Sequence, residues 1–388
     1  MKIVIVCDSW ADGNGAIVAT KRMMKELEAR GHEFTIVTTN TAGYEGDLRE
    51  VPGFYLPGVK ESMQKMDFQF GKGKTKILKD AFKDADLVTI QFPFFLARKS
   101  VSVAKKMGVP VMAGCHMQPQ NFTGAAGTES ELGDKIVAKV FKAFIFGRVD
   151  AIHIPSRFGA ELYQGFGINA HFRVVSNGIP REYVPMKKER PEFFGDKFTI
   201  LNVGRHALEK RQELLIDGVL HSKYKDNIQL LLCGKGEDTE KLRKRGEELP
   251  VKPFIEYISM EDKLTYLNTA DMYVQSSVIE LESLSCLEAI GCGLPCLISN
   301  AKHSAAPQFA LDDRFLFAED DAESLGKQID YWYENREELK KKKADALEMA
   351  EKYRMDKCVG EMERLYEEVA ATKNDTEKIL EPGLVMGS

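Results

Sequence analysis

Short β-branched runs alternate with helical patterns along this chain, and that alternation restricts it to one class of fold. Runs over 2–7, 34–39, 87–91, 109–113 and 151–154 are apolar and have the length of buried strands. Helical periodicity fills the intervals, as at 16–30 and 75–82. Wholly apolar strands separated by helices build a parallel sheet covered on both faces. After the turn Ser176-Asn177-Gly178-Ile179-Pro180 and a charged stretch to Lys197, the series restarts with strands expected over 198–203, 228–233, 254–258, 272–275 and 296–299.

The reading is therefore α/β, two Rossmann-like halves joined near residue 185, which suits a length of 388 residues. Ligands of such sheets gather outside the carboxyl ends of the strands, and two facing halves make a cleft. A hydrophobic share of 44% with 29% charged residues describes a chain that can bury a full core. The net charge of -5 gives no reason to expect nucleic acid. Seven scattered cysteines, mostly inside apolar runs, suit packed thiols in a cytoplasmic protein rather than a disulfide framework. No apolar run has the length of a signal peptide or a membrane span. The tail 373–388 is polar and small, and is expected to be loosely held.

The stretch ELESLSCLEAIGCGLPC, 280–296, places Glu280 and Glu288 across a loop entering a helix. Unpaired carboxylates away from water are costly, so the pair is either on a solvated helix face or at a site that binds hydroxyls. The helix is expected to begin near Ser285 and to end at Gly291, Gly293 and Pro295. Arg205 and Lys210 follow a predicted strand and Gly204; by themselves they read as solvated cations, with a grip on an anion as the other reading. Asp12-Gly13-Asn14-Gly15 opens the first helix, where glycine backbone and helix N-terminus suit a phosphate. As a dinucleotide fingerprint it is incomplete: Val18 stands where a third glycine would fall, and the second strand ends in Thr39-Asn40. That argues against a nicotinamide enzyme. Cys233-Gly234-Lys235-Gly236 is a second glycine turn, and His116 heads a polar loop after a strand.

The two glutamates, with Ala after the second and Gly-x-Pro soon following, resemble the signature of family 4 retaining glycosyltransferases. So does Gly204-Arg205 with Lys210 five residues on, and the likeness runs over most of the chain. It implies the GT-B architecture: domains 1–184 on the acceptor side and 185–355 for the nucleotide sugar, facing a central cleft, with a helix in 356–388 crossing back to the first. It also implies roles: Glu280 on the donor sugar, Glu288 on the ribose hydroxyls, Arg205 and Lys210 on the diphosphate, and His116 at the catalytic centre. Asn14 and Gly15 would face the donor, Gly234 the nucleotide, and the amides of Ser283, Leu284 and Ser285 the phosphates. Leu281-Glu282-Ser283 replaces the family's usual Gly-Phe-Gly, which bears on donor preference. No metal and no resident cofactor are implied; the nucleotide sugar, a UDP-sugar such as UDP-glucose, is a co-substrate. Asp84-Ala85-Asp86 precedes its strand, the wrong sheet edge for a metal-ligand pair. The expected activity is retaining transfer of a hexose to a hydroxyl of a lipid or glycan. The alternative is a catalytically silent nucleotide-sugar-binding protein of the same fold.

The stretch 135–148 interleaves Lys135, Lys139, Lys142 and Arg148 with Ile136, Val140, Phe141, Phe144 and Ile145. It is read as a half-buried helix with solvated lysines, with peripheral docking on the inner membrane face as the other reading. Residues 60–83 form a second lysine-rich region, in which Gly71-Lys72-Gly73-Lys74-Thr75 lacks the glycine of a Walker loop.

Overall fold

The computed structural model describes residues 1–11, 14–40, 44–58, 60–65, 68–124, 130–373, 380 and 382–387, with the side chains of Ser62 and Lys65 excepted. Asp12 and Gly13 of the first glycine turn lie outside them. The chain forms two compact units, Met1–Asn177 with Met355–Ser388, and Gly178–Arg354.

The first unit is built on an eight-stranded sheet. Across it run Gly383–Met386, His171–Val174, Ala151–Ile154, Val111–Gly114, Leu87–Ile90, Lys2–Val6, Glu33–Thr38 and Asp47–Glu50, every pair parallel. The three strands from Leu87 to Ile154 are buried at every position, as expected where both faces are covered. The edge strands are different. Asp47–Glu50 and Gly383–Met386 are only partly buried; the first is largely polar and the second is a four-residue run in a polar tail, so neither was expected. Over 383–386 the last one corrects the reading of a loosely held tail, since Leu384 pairs beside Phe172 and Val385 beside Arg173, while 374–379 lie outside the described residues.

Helix Met355–Ala371 belongs to this unit. Its Met355, Cys358, Val359, Met362, Leu365, Tyr366 and Val369 recur at helical spacing and pack with Ile3, Ile5, Ile17 and Phe34. Glu363 on its flank accepts from Arg30 at 2.7 Å and meets His32 at 2.8 Å. Helix Glu131–Phe141 continues as a π turn, Lys142–Phe146. The expectation of a half-buried helix holds for Phe141 and Ile145, but Ile136 and Val140 are exposed.

The second unit carries a six-stranded parallel sheet in the order Phe254–Glu256, Ile228–Cys233, Phe198–Val203, Met272–Gln275, Cys296–Ser299, Leu316–Phe317. Ile179 and Tyr183 pack in its core against Ile290 and Ala350, and the Ile179 amide donates to the Tyr353 carbonyl at 2.7 Å. The first unit therefore closes at Asn177 rather than at 184. Strand order reverses between Lys2–Val6 and Leu87–Ile90 in the first sheet, and between Phe198–Val203 and Met272–Gln275 in the second. The carboxyl ends beside those reversals are where such sheets hold ligands.

Candidate active site

In the second unit the two strands at the reversal end in Val203 and Gln275, and the loops after them are tied together. The Val278 amide donates to the Glu209 carbonyl at 3.0 Å, and Ser276 Oγ to the Lys210 carbonyl at 2.7 Å. That stitching sets Lys210 against Glu280: its ammonium donates to Glu280 Oε1 at 2.6 Å. Glu280 is itself fixed by its backbone, whose carbonyl accepts from the Ala305 amide at 2.8 Å. Gln275 Nε2 reaches Ser283 Oγ at 2.5 Å and Glu280 Oε1 at 3.5 Å, while Ser277 Oγ donates to Gln275 Oε1 at 3.2 Å.

Ser283 caps helix Leu284–Gly291, accepting from the Cys286 amide at 3.3 Å with Ser285 Oγ 3.2 Å away. The N-terminal turn of that helix, with its positive dipole end, thus begins beside the Lys210–Glu280 pair. Arg205 is half-exposed and pairs with Glu209 at 2.5 Å. The structure so brings Lys210, Glu280 and Ser283 into one network, with Leu284 and Ser285 following in the first helical turn and Arg205 on the adjoining loop. Gln275 joins them and was missed, although a polar residue closing an apolar strand was a visible signal.

Gly234 is required by close backbone approach. A Cβ there would lie 1.8 Å from the Gly204 carbonyl oxygen, and one on Gly236 would lie 2.1 Å from that of His206. Glu288 lies about one turn along the capped helix, its side chain 4% exposed and ion-paired with Lys263. The Lys263 ammonium also sits 5.3 Å from the Tyr183 ring centroid. Glu288 thus has a cation of its own rather than sharing Lys210. Nothing in the sequence linked Lys263 to it. Glu282, the departure from the family pattern, has its side chain buried.

In the first unit His116 stands just past Val111–Gly114, with Nε2 2.8 Å from Gln91 Oε1. Gln91, at the end of the strand beside the reversal, also meets Thr20 Oγ1 at 3.3 Å and donates to Thr89 Oγ1 at 3.1 Å. Gly114 makes room for this, since a Cβ there would lie 2.6 Å from Gln91 Oε1. Burial, then the neighbouring His153, lower the His116 pKa to about 3, so the ring is neutral at physiological pH. His153 is lowered to about 4 by burial, with its Nε2 2.7 Å from the Val175 carbonyl.

Asp8, after the first strand, is buried and accepts from the Gly71 amide at 2.7 Å; desolvation raises its pKa to about 7. Asn14 proves to be a helix cap, its Oδ1 accepting from the Ala16 amide at 2.9 Å, and Gly15 is the exposed first residue of helix Gly15–Glu28. Asp86 serves the fold, accepting from the Lys2 amide at 2.8 Å at the amino ends of the strands.

The chain matches the family models for glycosyltransferase family 4 over residues 13–183 and for glycosyl transferases group 1 over residues 185–349. It is 23% identical to alpha-monoglucosyldiacylglycerol synthase of Streptococcus pneumoniae, over 76% of this chain and 70% of that protein. With the GDP-mannose-dependent alpha-mannosyltransferase of Corynebacterium glutamicum it shares 22% identity over 76% and 72% of the respective chains. HepE of Anabaena, solved with UDP and glucose, superposes with a TM-score of 0.72 at 14% identity, covering 95% of this chain and 99% of that one. Two parallel-sheet units of this kind are the GT-B class of fold. With matches on both units, the chain belongs to glycosyltransferase family 4 and is a glycosyltransferase.

Proposed function

We propose that the protein transfers a hexose, with retention of configuration and without a metal ion, from a UDP-sugar to a hydroxyl on a lipid. The observation that carries this reading is the Lys210–Glu280–Gln275–Ser283 network at the carboxyl-end reversal of the second sheet, opening onto a capped helix N-terminus. A departing diphosphate needs fixed positive charge, and Lys210, Arg205 and the N-terminal turn of the helix supply it. In this reading Lys210 exchanges its bond to Glu280 for one to a phosphate oxygen. The freed Glu280 carboxylate accepts from sugar hydroxyls, and Glu288 from the ribose. The sugar–phosphate bond breaks, the acceptor oxygen attacks from the same face, and the leaving diphosphate takes the acceptor proton. Neutral His116, its ring fixed by Gln91, is the hydrogen-bonding group of the first unit that this reading assigns to catalysis.

HepE was solved with UDP and glucose, which favours UDP, and the pneumococcal relative is named for a glucosylated diacylglycerol, which favours a lipid acceptor. The corynebacterial relative is named for GDP-mannose, so base and sugar need direct assay. Seven free, buried cysteines agree with a cytoplasmic setting. Among the described residues no helix is long and apolar enough to cross a membrane, so we place the protein peripherally on the inner face.

The test is UDP release from UDP-glucose, UDP-galactose and UDP-N-acetylglucosamine with and without diacylglycerol, in the presence of EDTA. Glu280→Ala should lower kcat by about 100-fold or more while changing UDP affinity little. Lys210→Ala should weaken both by about tenfold, the scale of one charge-assisted bond. Tight UDP binding with no turnover on any acceptor would instead identify a silent nucleotide-sugar-binding protein.

A further inference from the structure

Helix Glu131–Phe141 is anchored by one face. Asp134 accepts from Gln120 Nε2 at 3.0 Å and Thr123 Oγ1 at 2.7 Å, and the Phe141 ring packs on Phe122. The opposite face carries Leu132, Ile136 and Val140, which are 70%, 55% and 43% exposed and stand four residues apart. The same spacing continues to Phe144 in the π turn. Its ring lies 6.1 Å from that of exposed Phe95, which lies 5.5 Å from Phe54. The result is a continuous outward apolar line, far from the scattered single residues normal on a surface.

Cations flank it: Lys135, Lys139, Lys142 and Lys99 are exposed, and the Arg98 guanidinium stands 5.1 Å from the Phe144 ring centroid. Glu131 is the exposed acid on the described part of this helix. Apolar side chains ringed by lysines and an arginine are complementary to a negatively charged lipid surface, where the stripe enters the headgroup boundary and the cations meet phosphates. A second copy docking here by a two-fold contact would set the same cations against each other.

We infer that this face is the protein's docking surface for an anionic lipid bilayer. It needs no nucleotide sugar and no acceptor, so it stands or falls separately from the proposed transfer reaction.

Sedimentation of the full-length protein with vesicles tests it. Vesicles of phosphatidylcholine with phosphatidylglycerol should bind the protein, and vesicles of phosphatidylcholine alone should bind it at least tenfold more weakly. The triple substitution Leu132→Ser, Ile136→Ser, Val140→Ser should reduce binding by tenfold or more. Lys135→Gln with Lys139→Gln should reduce it about fivefold per lysine and flatten its salt dependence. All of these positions are exposed, so thermal midpoints should stay at the wild-type value and keep a binding loss attributable to the surface. Unchanged vesicle binding by the triple variant overturns the inference. So does equal binding to neutral vesicles, or a wild-type oligomer that the triple variant converts to monomer without loss of lipid binding.

Discussion

At the scale of single residues, the ion pair between Lys263 and Glu288 is largely shielded from water, with side-chain exposures of 18% and 4%. Removing one partner of such a pair strands the other, which is costlier than the pair is worth. Glu288→Ala should therefore destabilise the second unit by about 3 kcal/mol, and Lys263→Met combined with Glu288→Met should recover most of that in a urea titration. A double variant no more stable than the single one would show that the pair does not hold the helix. Proton uptake is a second residue-scale matter. Folded His116 and His153 sit at about 3 and about 4, below the ordinary imidazole value, so between pH 4 and 6.5 the unfolded chain binds more protons at these sites. Their contribution makes stability rise with pH through that window. Asp8, raised to about 7, opposes them: from about pH 4 to 7 the folded chain holds a proton that the unfolded chain has lost. Two imidazoles outweigh one carboxyl up to pH 6.5. Asp8→Asn keeps an oxygen to accept from Gly71, so it should steepen the rise by about 1.4 kcal/mol per pH unit between pH 4.5 and 6. Chemical denaturation across pH 4.5–8 measures the slope, and an unchanged slope would remove Asp8 from this account.

Among elements, the turn after Ile228–Cys233 is the most constrained. A Cβ on Gly234 would meet backbone, which cannot swing aside as a side chain can. Gly234→Ala should cost about 3 kcal/mol and displace Gly204, and with it Arg205, lowering kcat beyond what stability loss explains. Gly165, at the end of helix Arg157–Gly165, has open space where its Cβ would stand. Gly165→Ala should stabilise by about 0.5 kcal/mol, and a comparable loss at both sites would refute the steric argument. The interior strands and Gly234 were legible because burial on both faces writes an apolar run and a close approach leaves a glycine. The edge strand Asp47–Glu50 was not, because exposure removes the apolar pattern, and neither were the short four-residue strands His171–Val174 and Gly383–Met386. At the site, Lys210 and Glu280 were legible through the family resemblance that their spacing from Gly204 and from Glu288 carries. Lys263 and Gln91 were not, since their partners are distant in sequence and only the fold joins them.

For the whole molecule, the two units differ in how the chain builds them. Residues 178–354 are contiguous and supply both cores of the second unit, from Ile179 to Ala350. The first unit is completed only by the C-terminal segment, whose helix Met355–Ala371 places Met355, Val359, Met362, Leu365 and Val369 in the core with Ile3, Ile5 and Phe34. Those apolar side chains, at about 2 kcal/mol each as an upper estimate, contribute on the order of 10 kcal/mol. That equals the whole net stability of an ordinary domain. A fragment of residues 178–354 should therefore unfold cooperatively on its own. Residues 1–177 alone should be molten, with dye-accessible apolar surface, and should regain a cooperative transition when co-expressed with residues 355–388. Circular dichroism and calorimetry of the three preparations decide the matter. A stable, cooperative 1–177 fragment would mean that the returning helix is an accessory to the first unit rather than part of its core.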